Sequence, residues 1–160
     1  MPTAQRSTAA PNGTAVEPRT PGGDALTELV MKTFRLNGLF LEAAEAIARP
    51  VGLTAAWWQV LGAVLDEPRS VAGIAREMGL ARQSVQRVAD LLASRGLVEY
   101  RPNPAHQRAK LVAPTEAGRA AVRALGGTQH EWANRVAGAV DVRDLQRVVA
   151  GVDALIATLS

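Results

Sequence analysis

Between positions 82 and 87 the chain reads Arg-Gln-Ser-Val-Gln-Arg, placing two guanidinium forks and two carboxamides within six residues. Arginine carries paired N–H donors and glutamine a donor beside an acceptor, so a row of them can address an edge that displays polar groups in fixed order. Base pairs display such an edge in the major groove of DNA. There arginine forks onto guanine and glutamine onto adenine, each good pair being worth about 1–3 kcal/mol of discrimination. This is recognition chemistry. A catalytic constellation is not visible: the sequence holds no glycine-rich phosphate loop, no Ser/His/Asp spacing and no HExxH, and no enzyme is expected. The two histidines, His106 and His130, stand too far apart and too unaccompanied to define a metal site, and the absence of cysteine removes disulfides, thiolate zinc sites and thiol switches. No cofactor is expected.

A row of this kind works only if something rigid holds it. On a helical wheel Val85, Val88, Ala89 and Leu92 fall together as an apolar back, while Gln83, Arg87, Asp90 and Ser94 lie opposite, flanked by Gln86 and Ser84. Arg87 and Gln83 face most directly outward and are the first choices for base contacts. Ser84, Gln86 and Arg82 suit phosphate contacts or secondary reading. Ala81 is a poor helix cap, at a cost of about 1 kcal/mol.

The neighbouring segments give this helix its setting. Ser70 caps a short helix over 71–78 with Val71, Ile74, Ala75 and Met78 inward, and Gly79 supplies the turn into the polar-fronted helix. After Gly96, extended stretches at 97–101 and 109–113 bracket a Pro-stiffened basic tip. Short helix, glycine turn, polar-fronted helix and basic hairpin form the winged helix-turn-helix order. Arg108 at the tip has the reach to enter a minor groove, Arg101 and Lys110 flank it toward phosphates, and His106 sits near phosphate. Residues 69–119 hold nine basic and four acidic side chains in a chain whose net charge is only +3. Positive charge is thus concentrated where a polyanion would bind.

The rest of the chain reads as support. Residues 1–23 are rich in Pro, Gly, Ser, Thr and Ala without periodicity, and are expected to form a disordered tail. A helix over 24–50 follows, capped by Asp24 and ended by Pro50 and Gly52. Its apolar positions spread wider than one stripe around Leu39, Phe40 and Leu41, as if two things touched it. Residues 54–115 form the winged module, beginning with a Thr54-capped helix that carries Trp57 and Trp58 and runs to about 65. Residues 116–160 hold a helix to about 140, with a bend at Gly126-Gly127 and a partly buried His130, and an Asp141-capped helix with an apolar face out to Leu159. The expected fold is mainly α with a small β-wing, a winged helix-turn-helix joined to helical dimerisation segments at both ends. Aromatics are 4% of the chain against 48% hydrophobic, so the core is built of Ala, Val and Leu. No run of about 18 apolar residues suggests a membrane span, and the amino terminus lacks the charged start and apolar stretch of a signal peptide. A cytoplasmic protein is expected.

The stretches GLTAAWWQVLGAV, SVAGIAREMGLARQSVQRVADLLASRGLVEYRPNP and HQRAKLVAPTEAGR carry a resemblance to the MarR family of transcriptional regulators, and the order of elements resembles that family from about 24 to 159. The resemblance implies an obligate homodimer whose first and last helices intertwine, with two winged modules straddling a pseudo-palindromic operator on double-stranded DNA. It implies groove reading by residues 82–87, a minor-groove contact by Arg108, and most often repression. It also implies a small aromatic or phenolic effector between the dimerisation helices and the winged module, for which Met31, Phe34, Leu39, Trp57 and Trp58 are the candidates. Adjacent tryptophans point about 100° apart, so one packs inward while the other meets the first helix or lines a cavity. The chain departs from the family pattern in three places. Ala105 stands where an acidic residue often holds the wing arginine, Ala81 replaces a small polar cap, and Pro114 replaces a leucine before Thr115. A second reading stays open from the residues alone: a winged-helix module whose exposed face docks an acidic protein partner.

Overall fold

The structure is a computed structural model of the 160-residue chain and describes residues 17–106 and 108–159. Two compact units divide the chain, residues 1–38 and 39–160, with the boundary falling inside the first helix.

Helix α1, Pro21–Ala48, starts three residues before the expected position. Thr20 supplies the cap in place of Asp24. Its hydroxyl accepts from the Gly23 N–H at 3.1 Å and its carbonyl from the Asp24 N–H at 3.0 Å, and Pro21 takes the first helical position, where a missing N–H costs nothing. Of the tail expected over 1–23, residues 1–16 lie outside the described residues, and 21–23 form the first turn of α1. Within the first unit, α1 leaves Leu26, Leu29, Val30, Met31, Phe34 and Leu36 exposed.

In the second unit α1 closes with buried Ile47 and Ala48, and a 3-10 turn at Arg49–Val51 ends at Gly52, whose φ of 74° suits glycine. Helix α2, Ala55–Gly62, is capped twice. The Thr54 hydroxyl accepts from the Trp57 N–H at 3.2 Å, and Glu45 of α1 accepts from the Ala55 N–H at 2.8 Å. It stops short of the expected 65, and Val64 and Leu65 lie in the following turn. That turn is held by Arg119, whose guanidinium donates to the Leu65 carbonyl at 2.7 Å. Val64 nonetheless stays fully buried.

A two-residue strand β1, Arg69–Ser70, precedes helix α3, Val71–Met78, and helix α4, Arg82–Ser94. Strands β2, Val98–Arg101, and β3, Leu111–Pro114, form the hairpin, followed by helices α5, Glu116–Ala137, and α6, Val142–Leu159. The sheet is antiparallel in the order β1-β3-β2, with Val98 opposite Pro114, Arg101 opposite Leu111 and Arg69 opposite Val112. Pro114 is the last residue of β3 and pairs with Val98, and the expected two-stranded hairpin gains an edge strand. Helix α5 is assigned as one helix through Gly126 and Gly127. Asp141 caps α6, accepting from the N–H groups of Arg143 at 2.8 Å and Asp144 at 3.2 Å.

Leu61, Val85, Leu92, Ile74, Val112 and Leu125 are fully buried, so α2, α3, α4, β3 and α5 share one aliphatic core. No polar or charged residue is buried among the described residues. Helix α5 approaches the loop before β2 so closely that a Cβ at Gly118 would lie 2.0 Å from the Leu97 carbonyl oxygen, which explains the glycine. Helix α6 buries none of its residues, leaving Val148, Val149, Val152 and Ile156 exposed. Among the described residues no helix is long and apolar enough to cross a membrane.

Candidate nucleic-acid interface

The two helices that set the site are punctuated by chemistry local to each end. The Ser70 hydroxyl accepts from the Gly73 N–H at 3.1 Å and starts α3. Gly79, at φ 62°, ends it, its N–H reaching the Ala75 and Arg76 carbonyls while the Leu80 N–H reaches Ala75 at 2.9 Å. The chain then re-enters a helix after two residues. At the start of α4, Ala81 has the extended backbone of a cap but no side-chain oxygen, so the first N–H groups of this helix are left without a side-chain acceptor.

The spacing of α4 divides it cleanly. Val85, Val88, Ala89 and Leu92 are buried, and Arg82, Gln83, Ser84, Gln86 and Arg87 are all exposed. The apolar back anchors the helix in the core, and the polar row faces outward on a frame that cannot rotate without exposing it.

The wing stands beside this row. Its tip is folded by Asn103, whose side-chain oxygen accepts from the Ala105 N–H at 2.9 Å and whose carbonyl accepts from the His106 N–H at 3.2 Å. His106, Arg108 and Lys110 are exposed. Arg108 has no ion-pair partner among the described residues, in keeping with the alanine at 105. Arg101 is not free in the same way. Its guanidinium pairs with Glu99 two residues earlier on the same strand face, at 2.6 Å and 2.8 Å. Arg82, Arg108 and Lys110 converge on one open hollow of about 360 Å³, together with Ser70, Asp90 and Tyr100. Three cations from two elements thus share a concave surface next to the polar row of α4, an arrangement suited to a polyanion.

Two residues in this hollow were not legible beforehand as site residues. The Gln86 side-chain nitrogen donates to Asp90 at 2.9 Å and to the Tyr100 hydroxyl at 2.9 Å, and that hydroxyl donates to the same Asp90 oxygen at 2.6 Å. Burial of the Tyr100 ring, then the hydrogen bond and negative charge of Asp90, push its hydroxyl pKa up to about 12, with Gln86 acting in the opposite direction. The four-residue spacing of Gln86 and Asp90 was a readable helix signal, but the strand partner was not. Arg69 ties the other edge of the sheet to α3, pairing with Glu67 at 2.9 Å and with Glu77.

Of the five residues named for an effector site, Met31 and Phe34 lie in the first unit and Leu39, Trp57 and Trp58 in the second. Met31, Phe34 and Leu39 are 64%, 68% and 53% exposed. Trp57 is half-buried beneath Arg95, whose guanidinium carbon lies 4.6 Å from the ring centre. Trp58 lines an apolar hollow of about 300 Å³ with Phe40, Ala44, Ile47, Gln129 and Trp132, where Phe40 and Trp132 meet edge to face at 6.2 Å. Gln129 and Trp132 of α5 carry no local sequence signal that joins them to Trp58. His130 is exposed and not partly buried. No group of three or more metal-ligating side chains occurs among the described residues.

A capped short helix, a glycine turn, an anchored helix with an outward polar row and a cationic wing define a winged helix-turn-helix DNA-binding protein. The chain belongs to the MarR family of transcription regulators, whose family model matches residues 51–109. An uncharacterised protein of Mycobacterium tuberculosis is 41% identical over 123 residues, covering 77% of this chain and 86% of its own. Two solved structures share the fold. The M. tuberculosis regulator MosR, in complex with DNA, is similar with a TM-score of 0.66 at 21% identity, covering 81% of this chain and 96% of its own. CouR from Rhodococcus jostii, bound to p-coumaroyl-CoA, is similar with a TM-score of 0.70 at 23% identity, covering 79% of this chain and 90% of its own.

Proposed function

We propose that this chain works as a homodimeric repressor that binds a pseudo-palindromic operator and is released from it by a small-molecule effector. The observation that carries the reading is the row Arg82, Gln83, Ser84, Gln86 and Arg87, exposed over a fully anchored back and bordered by the Arg82, Arg108 and Lys110 hollow. In this reading Arg87 and Gln83 contact base edges in the major groove and Arg82, Ser84 and Gln86 work at its margin. Arg108 enters the neighbouring minor groove, with His106 and Lys110 at phosphates. Arg101 contributes less, because Glu99 already neutralises it.

Binding to a selected operator duplex separates these roles. Arg87→Ala should relax sequence preference at one base position, at about 1–3 kcal/mol, while Arg108→Ala should weaken binding across many sequences and flatten the salt dependence. Affinity should fall with log salt by about 0.9 per neutralised phosphate. If both variants bind the operator as tightly as the parent does, the assignment fails.

For the effector, the apolar hollow beside Trp58 suits an aromatic ring, since its walls are aromatic and aliphatic with one carboxamide. CouR, bound to p-coumaroyl-CoA, gives an aromatic precedent in a protein of the same fold. Phenolic compounds that release operator DNA should quench tryptophan emission, and less so in Trp58→Phe. Unchanged emission with every releasing compound would remove this hollow from the account. Met31, Phe34 and Leu39, exposed in one chain, are then residues that a second copy covers.

A further inference from the structure

Gly126 and Gly127 stand side by side in the middle of α5, where glycine weakens a helix relative to alanine. Among the described residues nothing demands them. A Cβ at either position would meet no atom within 4 Å, and neither takes a positive φ. They fall at a mechanical boundary. Before them α5 is clamped to the winged module: Gly118 and Leu125 are buried, Ala121 and Val122 pack against the core, and Arg119 donates to the Leu65 carbonyl. After them no residue of α5 is buried. This distal arm carries Gln129 and Trp132, which form one wall of the apolar hollow of about 300 Å³. The facing wall is Phe40, Ala43, Ala44 and Ile47 of α1 with Trp58 of α2. That wall is fixed, because Ile47 and Ala48 are buried in the shared core and Glu45 accepts from the Ala55 N–H at 2.8 Å. The two walls touch where Phe40 and Trp132 meet edge to face.

We propose that Gly126-Gly127 is a hinge on which the Gln129 and Trp132 wall swings away from α1 and back, so that the hollow opens and closes. Paired small residues are among the few features that let a helix bend sharply without a proline. The bend falls just before the wall residues, so a change of angle moves the wall and leaves the core and α4 in place. The Phe40 and Trp132 contact is the closed position. What the hinge serves rests on the reading that this hollow takes the effector: a molecule enters past the open wall and is held when it closes.

Fluorine NMR of the full-length protein labelled with 5-fluorotryptophan tests this, since its three tryptophans give three resonances. Hinge motion falls in the microsecond-to-millisecond range. The Trp132 resonance should therefore show relaxation dispersion in the parent, and that of Trp57, held beneath Arg95, should not. Gly126→Ala combined with Gly127→Ala should abolish the Trp132 dispersion, leave Trp57 unchanged and raise the thermal midpoint by roughly 4–8 °C. Gly127→Ala alone should move both readings the same way by less. Absent dispersion in the parent, or equal dispersion in parent and double variant, would overturn the hinge. So would a lower midpoint, which would mean that a second copy packs against these glycines. Phenol, 4-hydroxybenzaldehyde and 1-naphthol probe the hollow: each that binds should shift Trp58 and Trp132 together and suppress the dispersion. If none shifts either resonance while the alanines still abolish the dispersion, the hinge stands and the effector reading falls.

Discussion

Tyr100 is the only tyrosine in the chain, so its ionisation can be followed by ultraviolet difference absorbance without ambiguity. Its pKa is raised from the ordinary 10.0 to about 12, first by burial and then by Asp90. A raised pKa on an acid means that the folded state keeps the neutral phenol where the unfolded chain would ionise it. The stabilisation is therefore complete below pH 10 and is lost as pH rises toward 12. The expected titration midpoint lies near 12 in the parent and falls in Asp90→Asn, though not to the ordinary value, because burial remains. A parent midpoint at 10 would show that the triangle of Gln86, Asp90 and Tyr100 does not persist in solution. The same triangle shows what a sequence hides at this scale. Arg82, Gln83, Ser84, Gln86 and Arg87 were legible as an exposed row because helical spacing alone sets exposure. The tyrosine that meets Gln86 comes from a strand whose register with β3 no local pattern specifies.

At the scale of elements, α4 begins without a cap. Ala81 already has the extended backbone of a capping residue, with φ −66° and ψ 131°, so Ala81→Ser can place an oxygen over the free N–H groups without moving the chain. It should stabilise the protein by about 1 kcal/mol, read as a rise in thermal midpoint. An unchanged or lower midpoint would mean that these N–H groups are already satisfied. The elements that could be read in advance were those with a local signature. Ser70 and Gly79 bracket α3, and the buried positions 85, 88, 89 and 92 repeat at the helical interval. Those that could not be read depend on distant partners. Strand β1 is two residues long, too short for any alternation, and exists because Arg69 and Ser70 pair with Val112 and Leu111. Helix α2 ends at Gly62, and the turn after it is held by Arg119 of α5, which donates to the Leu65 carbonyl. Helix α1 starts early because Thr20 outcompetes Asp24 as a cap. The effector candidates were drawn from α1 and α2, whereas the hollow beside Trp58 is completed by Gln129 and Trp132 of α5.

At the scale of the molecule, the proposed homodimer rests on the apolar faces that one chain leaves exposed. Helix α6 buries no residue, and α1 exposes Leu26, Leu29, Val30, Met31 and Phe34. In the proposed homodimer a second copy covers these faces and presents a second reading helix. Two-fold symmetry then fixes what the DNA must look like. Footprinting of a genomic fragment retained by the purified protein tests the whole account most directly. Two inverted half-sites should be protected, their centres about 34–36 Å apart, one turn of the duplex. A single unrepeated half-site, or retained fragments with no sequence in common, would contradict it.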